Sequence, residues 1–276
     1  MHARVASCFL SACRAELQAL KPGNVHVFAA GHGMETRHFE QAAEAAAKVI
    51  AAPGLSVGTR ILAAVEASLA VAGCNTNLGI ILLSAPLVAA ALTPTPGNLR
   101  RRLAAVLDGL TVEDADAAFR AIAAANPGGL GTDAAADVRA PASMDLRAAM
   151  ALAAGRDRIA RQYAGGFADV FGIGVPALEA DPCAPRGVEH AYLALLSAFP
   201  DSHIARKFGN AAAESVQAEA EEVRQALAAT AAADDDAARH ALLMRFDASL
   251  KARGLNPGTT ADLTVASILA ALLDAG

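Results

Sequence analysis

Side chains capable of chemistry collect at three junctions that are rich in glycine and proline. The first junction is Lys-Pro-Gly-Asn-Val-His at 21–26, which continues to His32. The second is Asn-Thr-Asn-Leu-Gly at 75–79, and the third is Asn-Pro-Gly-Thr-Thr at 256–260, followed by Asp262. A further glycine-rich connection, Asn-Pro-Gly-Gly-Leu-Gly at 126–131, leads to Asp137 and Val138. Glycine lets backbone amides approach a ligand closely, and helix starts favour anions. The junctions therefore predict a site for an anionic ligand.

The first junction has two interpretations. A lysine beside Pro-Gly can be held rigidly towards a phosphate, or Lys21 can simply be exposed at the end of a helix, where it favours the helix dipole. His26, His32 and His38 share no helical face, and no cysteine lies near them. This spacing argues against a metal site built from histidines.

The second junction interrupts the most apolar part of the chain. Residues 67–99 carry no formal charge and are long enough to span a bilayer, but the polar residues at 75–77 fall in the middle. We therefore predict two buried helices that meet at a polar turn, and no membrane span. Unpaired polar groups there cost about 1–3 kcal/mol each. These side chains can cap the two helices, or they can bind a ligand. Both hold together if Asn77 caps a helix while Asn75 and Thr76 face the ligand.

Several charges stand where local rules disfavour them. Arg60 lies on an otherwise apolar helix face, and Arg206 and Lys207 follow Asp201 in what reads as the first turn of a helix. Cations there oppose the helix dipole, as does Asp169 near a helix end. Such exceptions concentrate at functional sites, although Asp169 and Arg206 can also form a structural ion pair.

Composition excludes several classes of protein. A net charge of −5 with 18% charged residues argues against a general nucleic-acid binder. The sequence has no GxxxxGK[ST], HExxH, GxSxG or CxxC motif. The four cysteines without such a pair, and an N-terminal segment unlike a signal peptide, predict reduced thiols and a cytoplasmic location.

The elements that position these junctions are predicted to be helices. Alanine fills about a quarter of the chain, tryptophan is absent, and no alternating β-branched run occurs. Ser56 and Thr111 are predicted helix caps, and Thr259 or Thr260 before Asp262 is a third predicted helix start. Residues 144–171 and 202–233 read as long helices. We predict one all-α domain over 1–276, a multi-helix bundle with a central polar cleft formed by the Gly/Pro-rich junctions. The alanine-rich apolar surface leaves a homodimer open.

With these motifs, the chain resembles the triphosphoribosyl-dephospho-CoA synthase family over nearly its full length. The shared motifs, in chain order, are Lys21-Pro22-Gly23 with His32 and Met34, Ser56-Val57-Gly58 with Arg60, residues 75–79, residues 127–131 with Asp137 and Val138, Asp201 with Arg206, residues 256–258 and residues 261–263.

The resemblance implies an all-helical enzyme that joins ATP to 3′-dephospho-CoA and releases adenine. A ribose hydroxyl attacks C1′ of ATP, and the triphosphate is kept. This reaction requires a carboxylate to stabilise positive charge on the ribose, a base, an acid for the purine, and cations with Mg²⁺ for the triphosphate.

The resemblance also suggests roles for residues of this chain. The predicted phosphate- and nucleotide-binding residues are Lys21, Gly23, Asn24, Arg60, Asn75, Thr76, Asn77, Gly79, Arg206, Lys207 and Gly258. The predicted catalytic residues are His32, Asp169, Asp201 and Asp262, with the three aspartates also as Mg²⁺ ligands. His32 is the expected proton shuttle, because imidazole titrates near neutrality.

Two motifs depart from the family pattern. The family's His-x-Asp-Met reads His-Gly-Met at 32–34, and its Thr-His-Lys-Gly is replaced by Thr-Asn-Leu-Gly at 76–79. These changes resemble a divergent branch whose acceptor differs. The alternatives are a nucleotide-dependent transferase or kinase acting on a pterin or furan one-carbon cofactor precursor, and a non-catalytic nucleotide-binding helical module.

Overall fold

A computed structural model describes residues 1–29, 36–126, 137–231 and 235–275. Within these ranges the chain forms fourteen α-helices and one π-helical turn, Val170–Gly174, with no strand. The α-helices are α1 His2–Gln18, α2 Thr36–Ile50, α3 Val57–Ala72, α4 Leu78–Leu92, α5 Leu99–Asp108, α6 Val112–Ala125, α7 Leu146–Ala153, α8 Arg158–Gly165, α9 Val175–Ala177, α10 Pro185–Ala198, α11 Ser202–Phe208, α12 Asn210–Ala231, α13 Asp236–Ala252 and α14 Gly258–Asp274. The predicted all-α class is confirmed.

Two helices, α4 and α14, form the centre of the molecule. Twelve residues of each helix are buried, and α14 packs against α1, α4 and α10. A helix that is apolar on every side requires cover on every side, which α4 receives from α14, α5 and α3. The uncharged stretch thus contains the end of α3, the polar turn and α4, a buried core helix. No helix in the described ranges is long and apolar enough to cross a membrane.

Predicted caps begin two of the helices. Ser56 Oγ accepts a hydrogen bond from Thr59 N at 3.3 Å at the start of α3. At the start of α6, Thr111 and Asp114 form a capping box in which each side chain accepts from the other's backbone amide. The caps predicted at Ser56 and Thr111 are confirmed. The helix start predicted at Thr259 or Thr260 is wrong, because α14 begins at Gly258 with Pro257 in the N-cap position.

The two long predicted helices are wrong in their extent. Segment 144–171 is divided into α7, α8 and the start of the π-turn, and α8 ends where Gly166 takes a left-handed φ of 63°. Segment 202–233 is divided at Gly209, whose φ of 88° ends α11. Arg206 and Lys207 therefore lie in the last turn of α11, where cations favour the helix dipole.

The motif at 56–58 is explained by helix packing. Gly58 N donates to Asp114 Oδ1 at 2.7 Å, and a Cβ at Gly58 would lie only 2.7 Å from the carbonyl carbon of Asp114. Helices α3 and α6 can approach this closely because position 58 has no side chain.

Candidate functional site

The three junctions meet at one cavity of about 530 Å³. Its wall contains Asn24 from the first junction, Asn75 and Thr76 from the second, and Asn256 and Gly258 from the third. The other polar and charged residues of the wall are Glu16, Asn126, Arg156, Asp157, His203, Arg206, Lys207, Thr259 and Asp262.

Helices on the other side of the cavity contribute an apolar wall. Phe39 comes from α2, Leu82 from α4, Phe119 and Ile122 from α6, and Met150 from α7. The cavity therefore offers large apolar surfaces together with a limited set of polar groups, as ligand sites commonly do.

The start of α4 supplies the polar turn at the cavity. Asn75 Oδ1 accepts from Leu78 N at 3.2 Å, so Asn75 caps this helix. Asn77 occupies the N-cap position but makes no capping hydrogen bond, does not line the cavity, and leaves its buried Nδ2 without a partner among the described residues. The predicted cap at Asn77 is wrong. Thr76 Oγ1 is also buried without a described partner, and Thr76 lines the cavity.

Asp262 projects from the first turns of α14 against the first turn of α4. A Cβ at Gly79 would overlap the Asp262 carboxylate and lie 2.5 Å from its Cγ. Asp262 forms no hydrogen bond or ion pair with any residue that the structure describes. Burial, followed by the negative charges of Glu16 and Asp201, raises the pKa of Asp262 well above its usual value. Asp262 is thus a cavity carboxyl that holds a proton more readily than an ordinary aspartate.

Glu16 is a cavity residue that the sequence analysis missed. It is 4% exposed on α1, and its Oε1 lies 2.7 Å from Lys21 Nζ. Burial raises the pKa of Glu16 and lowers the pKa of Lys21, while their attraction opposes both shifts. The pair places a buried lysine directly beside a carboxyl group of the cavity wall.

Lys21 lies behind the cavity wall. It is fully buried, and its Nζ also donates to Val25 O and, at 3.3 Å, to Asn24 Oδ1. Neither interpretation of Lys21 from the sequence agrees with this position, because the amine is not exposed and all its contacts are to protein. Its role is to hold Glu16 and the first junction in place.

Arg206 and Lys207 both line the cavity. Arg206 Nη1 lies 2.7 Å from Asp157 Oδ2, while Asp157 Oδ1 caps α8 by accepting from Ala160 N at 2.9 Å. The predicted pairing of Arg206 with Asp169 is wrong. Asp157 instead connects the start of α8 to α11 and fixes the Arg206 guanidinium at the cavity.

Asp169 and Asp201 have structural partners. Asp169 forms a two-point ion pair with Arg158, at 2.7 and 2.8 Å, and does not line the cavity. Asp201 is fully buried; it caps α11 and accepts from Thr260 N at 2.8 Å and Thr260 Oγ1 at 2.7 Å. The three predicted magnesium ligands therefore do not assemble, and no cluster of three metal-ligating side chains occurs in the described ranges.

Arg60 also differs from its predicted role. It is 2% exposed, lies outside the cavity wall, and donates to the carbonyl oxygens of Ile50, Ala52 and Leu55. These bonds satisfy carbonyls at the end of α2, a common position for a cation. Burial lowers the pKa of Arg60 from its ordinary value.

The remaining predicted residues are divided between the cavity and its supports. Gly23, with φ at 83°, packs against Pro257 and does not line the cavity. A Cβ at Gly258 would lie 2.9 Å from His203 Nδ1, so the imidazole lies over this glycine. His203 is a second cavity residue that the sequence analysis missed. His32 lies outside the described residues.

Comparison with known proteins identifies a class of helical transferases. The model of one family, CitG, the ATP:dephospho-CoA triphosphoribosyl transferases, matches residues 2–276. The chain belongs to this family.

The fold is similar to that of a solved structure from Archaeoglobus fulgidus, provisionally named a triphosphoribosyl-dephospho-CoA synthase. The two chains are 24% identical with a TM-score of 0.67, and the match covers 87% of this chain and 98% of the other. This similarity supports the helical architecture. A search of curated proteins found no significant match.

Proposed function

We propose that this protein transfers the triphosphoribosyl group of ATP to 3′-dephospho-CoA, giving 2′-(5″-triphosphoribosyl)-3′-dephospho-CoA and adenine. The observation that carries the proposal is the cavity in which Asp262, a carboxyl without a partner among the described residues, lies with the cations Arg206 and Lys207. Family membership supplies the reaction class, and the cavity supplies groups for its two charged centres.

Arg206 and Lys207 bind the triphosphate. The Arg206 guanidinium is held by Asp157, so it is ordered before the nucleotide enters, and a preordered guanidinium suits phosphate oxygens. Thr76 Oγ1 adds a hydroxyl donor at the start of α4, where helix amides favour an anion. Neutralising these groups would weaken ATP binding more than it would slow the chemical step.

Asp262 acts on the sugar hydroxyl. The hydroxyl oxygen of dephospho-CoA forms a bond to C1′ of ATP, the bond between C1′ and the adenine nitrogen breaks, and its electron pair leaves with adenine. Asp262 takes the hydroxyl proton, and adenine takes up one proton in return. A raised pKa makes Asp262 a stronger base than an ordinary aspartate.

Before it takes that proton, the same group, as an ionised carboxylate, stabilises the positive charge that develops on the ribose ring as adenine departs. The apolar wall formed by Phe119, Ile122 and Met150 receives the purine and limits competing attack by water. His32 keeps its predicted role as the proton shuttle, and in this proposal it supplies the proton that adenine takes up.

Magnesium belongs to this proposal as part of the substrate, MgATP. Mg²⁺ is commonly held by one or two carboxylates together with phosphate oxygens and water. The described cavity fits this arrangement better than a resident ion, because Asp169 and Asp201 are consumed by other contacts and Glu16 is paired with Lys21.

The experiment is an incubation of the protein with ATP, Mg²⁺ and 3′-dephospho-CoA, followed by chromatography for adenine and mass spectrometry of the product. We expect acceptor-dependent adenine release, lost in Asp262→Asn and kept in Asp236→Asn, whose carboxylate is exposed on α13. Adenine without acceptor would indicate a nucleosidase, ADP would indicate a kinase, and ATP binding without turnover would indicate a binding module; each would contradict the proposal.

A cytoplasmic location and a homodimer complete the proposal. All four cysteines are free, as expected of a reducing compartment. Fractionation of the source cells tests the location, and light scattering of the purified protein tests the dimer.

A further inference from the structure

A short chain of hydrogen bonds connects a buried lysine to the cavity wall. Lys21 Nζ and Val25 N both donate to Asn24 Oδ1, at 3.3 and 2.8 Å. Asn24 Nδ2 lies 2.8 Å from Asn256 Oδ1. The chain joins two turns that are 232 positions apart in sequence, and both asparagines line the cavity.

Chemistry fixes the direction of every bond in this chain. A lysine ammonium and a backbone N–H can only donate, so the oxygen of the Asn24 amide must face Lys21 and Val25. The nitrogen of Asn24 then faces Asn256 and donates to it. Asn256 must therefore turn its oxygen towards Asn24, and its nitrogen is left over.

The side-chain nitrogen of Asn256 has no hydrogen-bond partner among the residues that the structure describes. This nitrogen is also not a buried atom. Asn256 is partly exposed and belongs to the cavity wall. A donor whose orientation is fixed from behind, and which remains open at a ligand cavity, is preorganised for an acceptor on that ligand.

We propose that Asn256 donates a hydrogen bond from Nδ2 to an oxygen acceptor of the bound nucleotide, and that Asn24 is the positioning residue that fixes this donor. The inference rests on the proposed function, because it takes ATP as the ligand. It gives the polar first and third junctions a shared purpose in substrate recognition.

The most direct test makes Asn256 present its oxygen, in place of its nitrogen, to the nucleotide without changing Asn256 itself. In Asn24→Asp, one carboxylate oxygen still accepts from Lys21 and Val25, but the other oxygen can only accept. Asn256 must then turn its nitrogen towards the new carboxylate and present its oxygen to the nucleotide. Asn256→Asp removes the donor directly. Asn126→Asp, at another position of the cavity wall, matches the added charge.

We expect Asn24→Asp and Asn256→Asp each to weaken ATP binding about 10- to 100-fold by calorimetry, the loss typical of a hydrogen bond to a charged group. The loss should exceed that in Asn126→Asp and should appear in KM for ATP more than in kcat. In an Asn256→Ala background, Asn24→Asp should add no more than the loss seen in Asn126→Asp, because Asn24 acts through Asn256 and only the effect of the added charge remains.

Binding of inorganic triphosphate distinguishes the two sources of the acceptor oxygen. A loss shared with triphosphate assigns the acceptor to the phosphates, and a loss confined to ATP assigns it to the nucleoside; both support the inference. Equal binding by Asn24→Asp, Asn256→Asp and Asn126→Asp, with wild type still releasing adenine, would overturn the inference alone. Wild-type protein that neither binds ATP nor releases adenine would overturn the proposed function and this inference with it.

Discussion

Replacing Gly79 with alanine is expected to disable the enzyme by displacing one carboxylate. The new Cβ would overlap the Asp262 carboxylate and lie 2.5 Å from its Cγ and 2.8 Å from Ile159 Cδ1. With 3.4 Å as an ordinary contact, the carboxyl carbon must withdraw by about 0.9 Å.

A displacement of this size is large for catalysis and modest for folding. Misplacing a reacting group by about 1 Å can cost about 100-fold in rate, so we expect kcat for adenine release to fall by about that factor. Overpacking costs about 1–3 kcal/mol, and alanine returns about 0.5–1 kcal/mol through its helix propensity. The free energy of unfolding should therefore decrease by no more than about 2.5 kcal/mol.

The assay combines turnover with denaturant unfolding in two pairs of variants. Gly165→Ala is the control, since a Cβ there meets nothing within 4 Å, and its activity should match wild type. In an Asp262→Ala background only the contact with Ile159 remains, so Gly79→Ala should cost less stability there than in the wild-type background. Full activity of Gly79→Ala, or an equal loss of stability in the Asp262→Ala background, would refute the reasoning.

Three further predictions follow from the charges of the site. Lys21→Met should destabilise the protein by about 3–5 kcal/mol in urea unfolding, because it leaves Glu16 buried and unpaired, and adding Glu16→Gln should recover much of the loss. Asp157→Asn should raise KM for ATP about 3- to 10-fold with a change in stability below about 1 kcal/mol, because asparagine still caps α8 but no longer pairs with Arg206 as an ion. The pKa of Asp262 is raised in the folded state. Its contribution to stability is therefore fully present below the ordinary aspartate pKa and is lost as pH rises through the raised value. Asp262→Asn, which cannot ionise, should be more stable than wild type at neutral pH.

Each of these predictions has an outcome that contradicts it. Unchanged stability of Lys21→Met would show that Glu16 is readily neutralised when unpaired. Asp145→Asn, the same change at the cap of α7, controls for capping, so an equal rise in KM there would deny Asp157 a specific role. Lower stability of Asp262→Asn at neutral pH would show that the carboxylate has a favourable partner.

Local sequence signals determined much of the fold. Alanine content and apolar periodicity predicted the helices, and Ser56 and Thr111 begin helices because capping depends on residues only three positions apart. The helix ends at Gly166 and Gly209 were missed. A glycine inside an apolar pattern does not end a helix by itself, and it does so here because tertiary packing requires a positive φ.

The site was predictable in location and only partly in detail. Clustering of polar residues at glycine-rich junctions predicted that Asn75, Arg206 and Asp262 would meet, and all three line one cavity. The position of Lys21 depends on which helix covers it, information that the turn itself does not contain. Glu16 did carry a signal, a lone acid among buried residues of α1, five positions before that lysine.

The hydrogen bond between Asn24 and Asn256 also bears on when, during its synthesis, the protein becomes able to catalyse its reaction. Synthesis delivers one partner early and the other 232 positions later, and Asp262 arrives later still. A nascent chain can therefore bury much of its first helices while its catalytic pocket stays open on one side. Until α14 docks, the growing polypeptide is expected to leave cellular ATP untouched, which makes adenine release a reporter of complete folding.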